Sequence, residues 1–275
     1  MKHTKYQTLL GRIDKHFVGF LDQPSYKVTY IKPSKLITHN RLDLAIKILY
    51  LRMCDYVDVR FAAELYEQHI KAFSLGSFTE PGKLEKNSIQ RYFNDFEAVF
   101  NSISIEGFKE AESLIPLSSS GSIANGSHRV ASAFKLNKEV PSVLLKMPDD
   151  NYDFKFFLKR GMCKRDIETG VTSFIEFAEN CYVALLWPSA KGHKKELYNL
   201  IPNIVYQKNV ALNHLGAHNL ISQVYCDENW LGKREEGYPG VKNKLVECFK
   251  TFDDLTVVAF QSSSLREVKL IKENI

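Results

Sequence analysis

The residues Gly121-Ser-Ile-Ala-Asn-Gly-Ser-His-Arg-Val130, followed by Ala-Ser-Ala-Phe-Lys-Leu136, carry the most specific chemistry in this chain. An apolar run enters a turn at Asn125-Gly126, and a helix-like segment leaves it with Ser127, His128 and Arg129 at its start. The first turn of a helix has backbone N–H groups without intrahelical acceptors and the positive end of the helix dipole. A glycine lets that backbone approach an anion closely, and an imidazole and a guanidinium beside it add charge-assisted donors. Asn125, Gly126, Ser127, His128 and Arg129 are therefore expected to cradle phosphate, with His128 and Arg129 neutralising charge during catalysis. The plain alternative is an Asn-Gly turn carrying a surface histidine and arginine.

Phosphoryl transfer also needs an acceptor hydroxyl held beside a base. Arg41, Asp43 and Lys47 form the second constellation, and the i,i+4 spacing puts Asp43 and Lys47 on one helix face. They are either an ordinary surface ion pair or a site in which Asp43 is the general base or a Mg²⁺ ligand and Arg41 or Lys47 meets phosphate. Glu67 and His69 on the next helical segment add substrate contacts there, unless His69 is simply structural. Glu80-Pro-Gly-Lys83 is either a lid that closes over substrate, through Glu80 and Lys83, or an exposed loop. His214 and His218 are also spaced i,i+4, but Leu, Gly and Ala lie between them, so the metalloprotease pattern fails. The polar, aromatic stretch from Asp227 to Gly240 either lines a ligand site, with Lys242, Lys244 and Arg266 ready for an anion, or is a surface loop.

The elements that must position these groups follow from periodicity. Tyr26 to Tyr30 reads as a strand. Asn40 to Tyr50 reads as a helix capped by Asn40, and a second helix runs from about Val59 to Ala72. Two glycines and a proline make Phe73 to Lys86 a mobile loop. From about Ser88 to Ser104 an amphipathic helix places Ile89, Tyr92, Phe93, Phe96, Val99, Phe100 and Ile103 on one side. The run Ser113 to Leu117, the turn, its helix and the strand Val140 to Leu145 follow. The first two dozen residues read as a loosely attached arm, and Met147 to Asn151 as a linker. Cys181 to Trp187 reads as a strand buried on both faces.

The expected class is α/β (α+β), with one domain over residues 1–150 and a second, smaller α/β domain over 151–275. Leu265 to Ile275 reads as a helix that stops without Gly or Pro, as in a chain cut inside a larger protein.

Composition narrows the partners. Hydrophobic residues at 44% and charged residues at 25% are those of a globular chain, and a net charge of +5 is too mild to argue for nucleic acid. The five cysteines are scattered without a CxxC pair, which suggests buried, reduced thiols. Neither a signal peptide nor an apolar run of membrane-spanning length is visible, so a cytoplasmic location is expected.

Phe96 to Leu145 resembles the ParB/sulfiredoxin-like superfamily, in which a helix, a glycine turn, a strand with an early proline and a (D/N)-G-x-H-R signature precede a helix and a strand. The matching pieces are Ile103 with Gly107, Ile115-Pro116-Leu117, Asn125-Gly126-Ser127-His128-Arg129, and Val140 to Leu145. The resemblance implies nucleotide or phosphate handling at the turn, with ATP or ADP and Mg²⁺ as cofactors. Ser127 stands where sulfiredoxins have a reactive cysteine, so sulfinic-acid repair is not expected. Asn125 stands where kinase members often have an acidic residue, which leaves open whether the turn supplies a carboxylate. A second resemblance, to a bacterial surface-polysaccharide gene-cluster family, rests on Arg41-x-Asp43-x-x-x-Lys47, Tyr66-Glu-Gln-His69 and the same turn. The function expected is a nucleotide-dependent kinase acting on a hydroxyl of a small molecule or glycan. The alternatives are a non-catalytic nucleotide-binding switch and a ParB-like nuclease, the latter disfavoured by the mild charge.

Overall fold

The computed structural model describes residues 2–56, 59–79, 87–186, 201–211 and 254–262. The chain divides into two compact units, Met1–Cys181 and Tyr182–Ile275. In the first, β1 (Lys2–Lys5), β2 (Ser25–Ile31), β3 (Ile115–Leu117) and β4 (Val140–Leu144) form a mixed sheet in the order β1-β2-β4-β3. β1 and β4 run antiparallel to β2, whereas β3 runs parallel to β4 with Ile115 opposite Ser142. Between β3 and β4 lies α5 (Ser127–Lys135), so these pieces make a parallel β-α-β unit. The phosphate-turn candidate thus sits beyond the carboxyl end of a strand, where open α/β sheets place ligands.

The expected loose arm is instead a part of this unit. A short helix, α1 (Tyr6–Leu9), follows β1, and Leu9 and Ile13 join Tyr26, Val28, Leu114 and Val143 in one apolar cluster. The buried Arg12 donates to the Glu110 carbonyl and carboxylate, which ties the arm to the segment before β3. Apolar side chains at Leu9, Ile13, Phe17 and Phe20 could not stay in water while the sheet face needed covering.

α2 (Leu42–Met53) is buried on almost every side, from Leu42 through Ile48 and again at Leu51. A helix of that kind belongs to an interior. α3 (Arg60–Phe73), α5 and α7 (Lys164–Phe177) pack around it. Gly170 of α7 marks the closest approach, since a Cβ there would lie 2.9 Å from Ile46 Cγ1. α4 (Ile89–Glu106) buries Tyr92, Phe96 and Ile103 and ends at Gly107, whose φ of 75° favours glycine. Lys138 Nζ donates to the Ile103 carbonyl at 2.7 Å, a cation where the helix dipole is negative.

Several expected boundaries move. Asn40 does not cap α2. The cap is Arg41, and the Asn40 side chain instead donates to the Asp150 carbonyl at 2.9 Å. The expected linker is stitched down: Met147 is buried, and Tyr152 exchanges backbone bonds with Asn40 and Leu42. The first unit therefore continues past residue 150 through α6 (Phe154–Lys159) and α7, because their apolar faces complete the shell around α2 and α3.

In the second unit, β5 (Cys181–Leu186), β6 (Ile204–Ala211) and β7 (Asp254–Gln261) form a sheet in the order β5-β7-β6, with β6 and β7 antiparallel. β5 is not buried on both faces. Val183 is 53% exposed, and among the described residues β5 is an outer strand of this sheet. The thiols also differ from expectation: Cys54 and Cys163 are exposed, and Cys181 is half-buried. Cys226, Cys248, His214, His218, the Asp227–Gly240 loop and the terminal helix candidate lie outside the described residues. Helices with two sheets make the chain α/β, and no helix among the described residues is long and apolar enough to cross a membrane.

Candidate functional site

One cleft of about 1430 Å³ in the first unit collects most of the residues that the sequence marks. Its walls come from the Gly11–Phe17 segment, α2, the second half of α3, α4, the Asn125–Arg129 turn and the stretch from Asp150 to Arg160.

Gly126 begins α5 at φ 88°, in the left-handed region, and a Cβ there would collide with Ile115 Cδ1 and lie 2.7 Å from Arg129 Nη2. Glycine is thus required by backbone and by space. Asn125 Oδ1 accepts the Gly126 N–H at 2.6 Å, which closes the turn on itself. No side chain caps α5, so its first-turn amides keep their capacity for an outside acceptor. Asn125 through Arg129 are all half-buried, open to the cleft rather than sealed.

His128 and Arg129 leave the turn toward different neighbours while lining the same cleft. His128 Nε2 meets the Tyr66 hydroxyl at 2.7 Å, and its ring packs edge-on to Phe96 at 4.4 Å. Arg129 Nη1 donates to the Ser113 hydroxyl. Among the described residues Arg129 makes no ion pair. Desolvation lowers its pKa, with Asp14 opposing that effect from a distance. A guanidinium stays protonated regardless, so the site holds a partly desolvated positive charge. The Asp14 carboxylate also reaches the turn: Asn125 Nδ2 donates to its Oδ2 at 3.4 Å. The acidic group that the turn's own sequence lacks is thus brought in from the N-terminal segment.

The α2 constellation has a different character. Arg41 Nε and Nη2 grip the two Asp43 oxygens at 2.8 and 2.9 Å, and Lys47 Nζ reaches Asp43 Oδ2 at 2.9 Å. The remaining Arg41 fork donates to the Ile123 carbonyl, and Tyr152 lies under the guanidinium at 5.0 Å. The pair is not on the surface, for Asp43 is 1% exposed. Burial opposes its ionisation, but the charges of Arg41 and Lys47 prevail and hold its pKa far below the usual carboxylate range. A carboxylate so engaged is a poor proton acceptor, and two cations occupy the oxygens a metal would need. In this structure Asp43 is an electrostatic pin that locks Arg41 and Lys47 into the cleft wall. Three of the five Arg41 N–H groups are engaged, which fixes the guanidinium in the cleft wall.

His69 lies deeper than expected, at 0% exposure, between the rings of Tyr66, Phe73 and Phe157, yet it lines the cleft. Both of its ring nitrogens lack a hydrogen-bond partner. Burial lowers its pKa well below the usual histidine value, helped by Lys47 and Arg41 and opposed by Asp43, so the ring is neutral. Glu67 is half-buried on α3 and does not line the cleft. Glu80 and Lys83 lie outside the described residues. Asp14, Tyr66, Ser113 and Arg160 were missed as site residues. Arg160 Nη1 donates to the Phe73 carbonyl at 2.7 Å and holds α6 against the end of α3. Only the helical repeat of Tyr66 with His69 could have pointed to any of these.

No family model, curated protein or solved structure matches this chain.

Proposed function

We propose that the cleft binds a nucleotide by its phosphates at the first turn of α5 and transfers a phosphoryl group to a hydroxyl of a small molecule or glycan. The observation that carries this reading is the uncapped start of α5 beside Arg129, a desolvated guanidinium bonded to a hydroxyl rather than a carboxylate. Backbone amides, a dipole end and an uncompensated cation together form an anion site. At about 1430 Å³ the cleft exceeds the usual few hundred to about 1,000 Å³ of a single-ligand pocket, which leaves room for donor and acceptor.

In this reading Ser127, His128 and Arg129 supply donors to the phosphate oxygens, and Gly126 keeps the approach clear. Tyr66 orients the His128 ring. The donor set favours Asp14 over Asp43 as the residue that would hold Mg²⁺, because the Asp14 carboxylate reaches the turn and is held by His16 and Asn125, whereas the Asp43 oxygens are gripped by two buried cations. The ion supplies charge neutralisation on the phosphates when bound.

A thermal-shift panel of ATP, ADP and other nucleotides, with and without Mg²⁺, tests the reading. A ligand at about 100 times its Kd stabilises the native state by roughly 2.7 kcal/mol. A shift that His128→Ala and Arg129→Ala diminish is expected. Turnover with a hydroxyl acceptor then separates an enzyme from a nucleotide-binding switch, and no response to any nucleotide overturns both.

A further inference from the structure

Resting on that reading, we infer that His69 is the acceptor-side catalytic residue: it binds the hydroxyl that attacks the phosphate and takes its proton. A buried polar atom without a partner costs about 1–3 kcal/mol, and such atoms in native proteins point to a missing water, ion or ligand. His69 leaves both ring nitrogens in that state, among the rings of Tyr66, Phe73 and Phe157. His69 lies in the wall of the cleft that contains the α5 turn.

The chemistry of the ligand follows from the charge state. A neutral imidazole offers one N–H donor and one lone pair. A bare anion could satisfy only the donor, whereas a hydroxyl can give its hydrogen to the lone pair. His69 therefore matches a hydroxyl group and not the phosphates. Its placement agrees: it lies one turn along α3 from Tyr66, whose hydroxyl meets His128 Nε2 at 2.7 Å. One helix thus carries both the group for the acceptor and the link to the phosphate turn. Arg41 and Lys47 disfavour a proton on both Asp43 and His69, but they occupy only the Asp43 oxygens, whereas His69 keeps a lone pair without a partner for the hydroxyl hydrogen.

In the step itself the acceptor O–H bond breaks toward an imidazole nitrogen while that oxygen bonds to the terminal phosphorus of the nucleotide. The bond from this phosphorus to the bridging oxygen breaks, and the nucleoside diphosphate leaves with the electron pair. His69 later returns its proton to solvent. Donor and acceptor are the only reactants.

The test uses ring ¹⁵N spectra of the full chain, with the His69 signals assigned by their loss in His69→Phe. Mg·ADP is compared with Mg·ADP·aluminium fluoride, in which water stands in the acceptor's place. The His69 resonances should move with the fluoride complex and stay still with ADP alone. His69→Phe should melt no lower than the wild type and bind ADP within about twofold. Its rate of ATP cleavage should fall at least about 100-fold, the lower end of general-base contributions. His69→Gln, which keeps a polar group, should be equally slow. Movement with ADP alone would assign His69 to the phosphates and overturn the inference, as would stationary signals in the fluoride complex or an active His69→Phe. Absence of any ADP binding would instead defeat the phosphotransfer reading, and this inference with it.

Discussion

Arg41, Asp43 and Lys47 on α2 and Asn125 to Arg129 at the head of α5 face the same cleft, yet they treat charge in opposite ways. On α2 a single carboxylate is gripped from both sides, and its bonds all stay inside the protein. At the turn, a guanidinium and the first amides of a helix are left with a serine hydroxyl and an aspartate at a distance. The first cluster is complete without a ligand and the second is not. Charge density alone does not distinguish a structural knot from a binding site. The difference lies in whether each buried charge already has its partner.

Substitutions should separate the two clusters. The largest effect is expected from Asp43→Asn, which strands two buried cations. Breaking a buried pair costs about 3–5 kcal/mol, so urea denaturation should show a loss of that order. A small loss of stability combined with abolished turnover would return Asp43 to the role of base.

Gly126→Ala comes next. The left-handed backbone costs roughly 1–2 kcal/mol for a non-glycine residue, and the collision with Ile115 adds to that. Its midpoint should fall by less than that of Asp43→Asn, while nucleotide binding is lost entirely.

Arg129→Met should show the reverse of Asp43→Asn. Removing a desolvated cation that has no carboxylate should leave denaturation nearly unchanged, while the affinity for nucleotide falls at least about tenfold, given about 1.5–3 kcal/mol for a charged hydrogen bond.

The smallest effect concerns pH. The folded-state pKa of His69 lies below the unfolded value of about 6.5, so below that pH the unfolded chain binds more protons than the folded one. Its neutral form supports stability fully above about pH 6.5, and that support is lost as pH falls toward the folded value. Burial is the first cause, and the charged groups that face the ring are Lys47 and Arg41, which disfavour the proton, and Asp43, which favours it. Asp43 itself is depressed, so its contribution survives until pH drops below about 4. Melting temperatures measured between pH 7 and 5 should therefore decline in the wild type, and decline less in His69→Phe.

Much of this arrangement was legible in the chain, for reasons particular to each element. The amphipathic repeat of α4 and the Asn-Gly turn ahead of α5 are local signals, and each lies within a residue or two of its expected place. The i,i+4 spacing of Asp43 and Lys47 identified their contact, but not their burial. α2 is apolar on every other face, and only the packing of α3, α5 and α7 around it encloses the pair. Asp14 could not have been found, because its relation to the turn joins positions more than a hundred residues apart. The N-terminal arm and the 147–151 stretch misled for a related cause. Their polar, glycine- or proline-bearing sequences look loose, while the few apolar residues among them are those the sheet and α2 require.

The most direct test is calorimetric titration of Mg·ATP into the wild type, Arg129→Met and Asp43→Asn, at a temperature where all three remain folded. We expect wild-type binding, a loss of at least about tenfold in Arg129→Met, and in Asp43→Asn a change much smaller than its loss of stability. Equal affinity in the wild type and Arg129→Met would contradict the assignment of the anion site to the α5 turn.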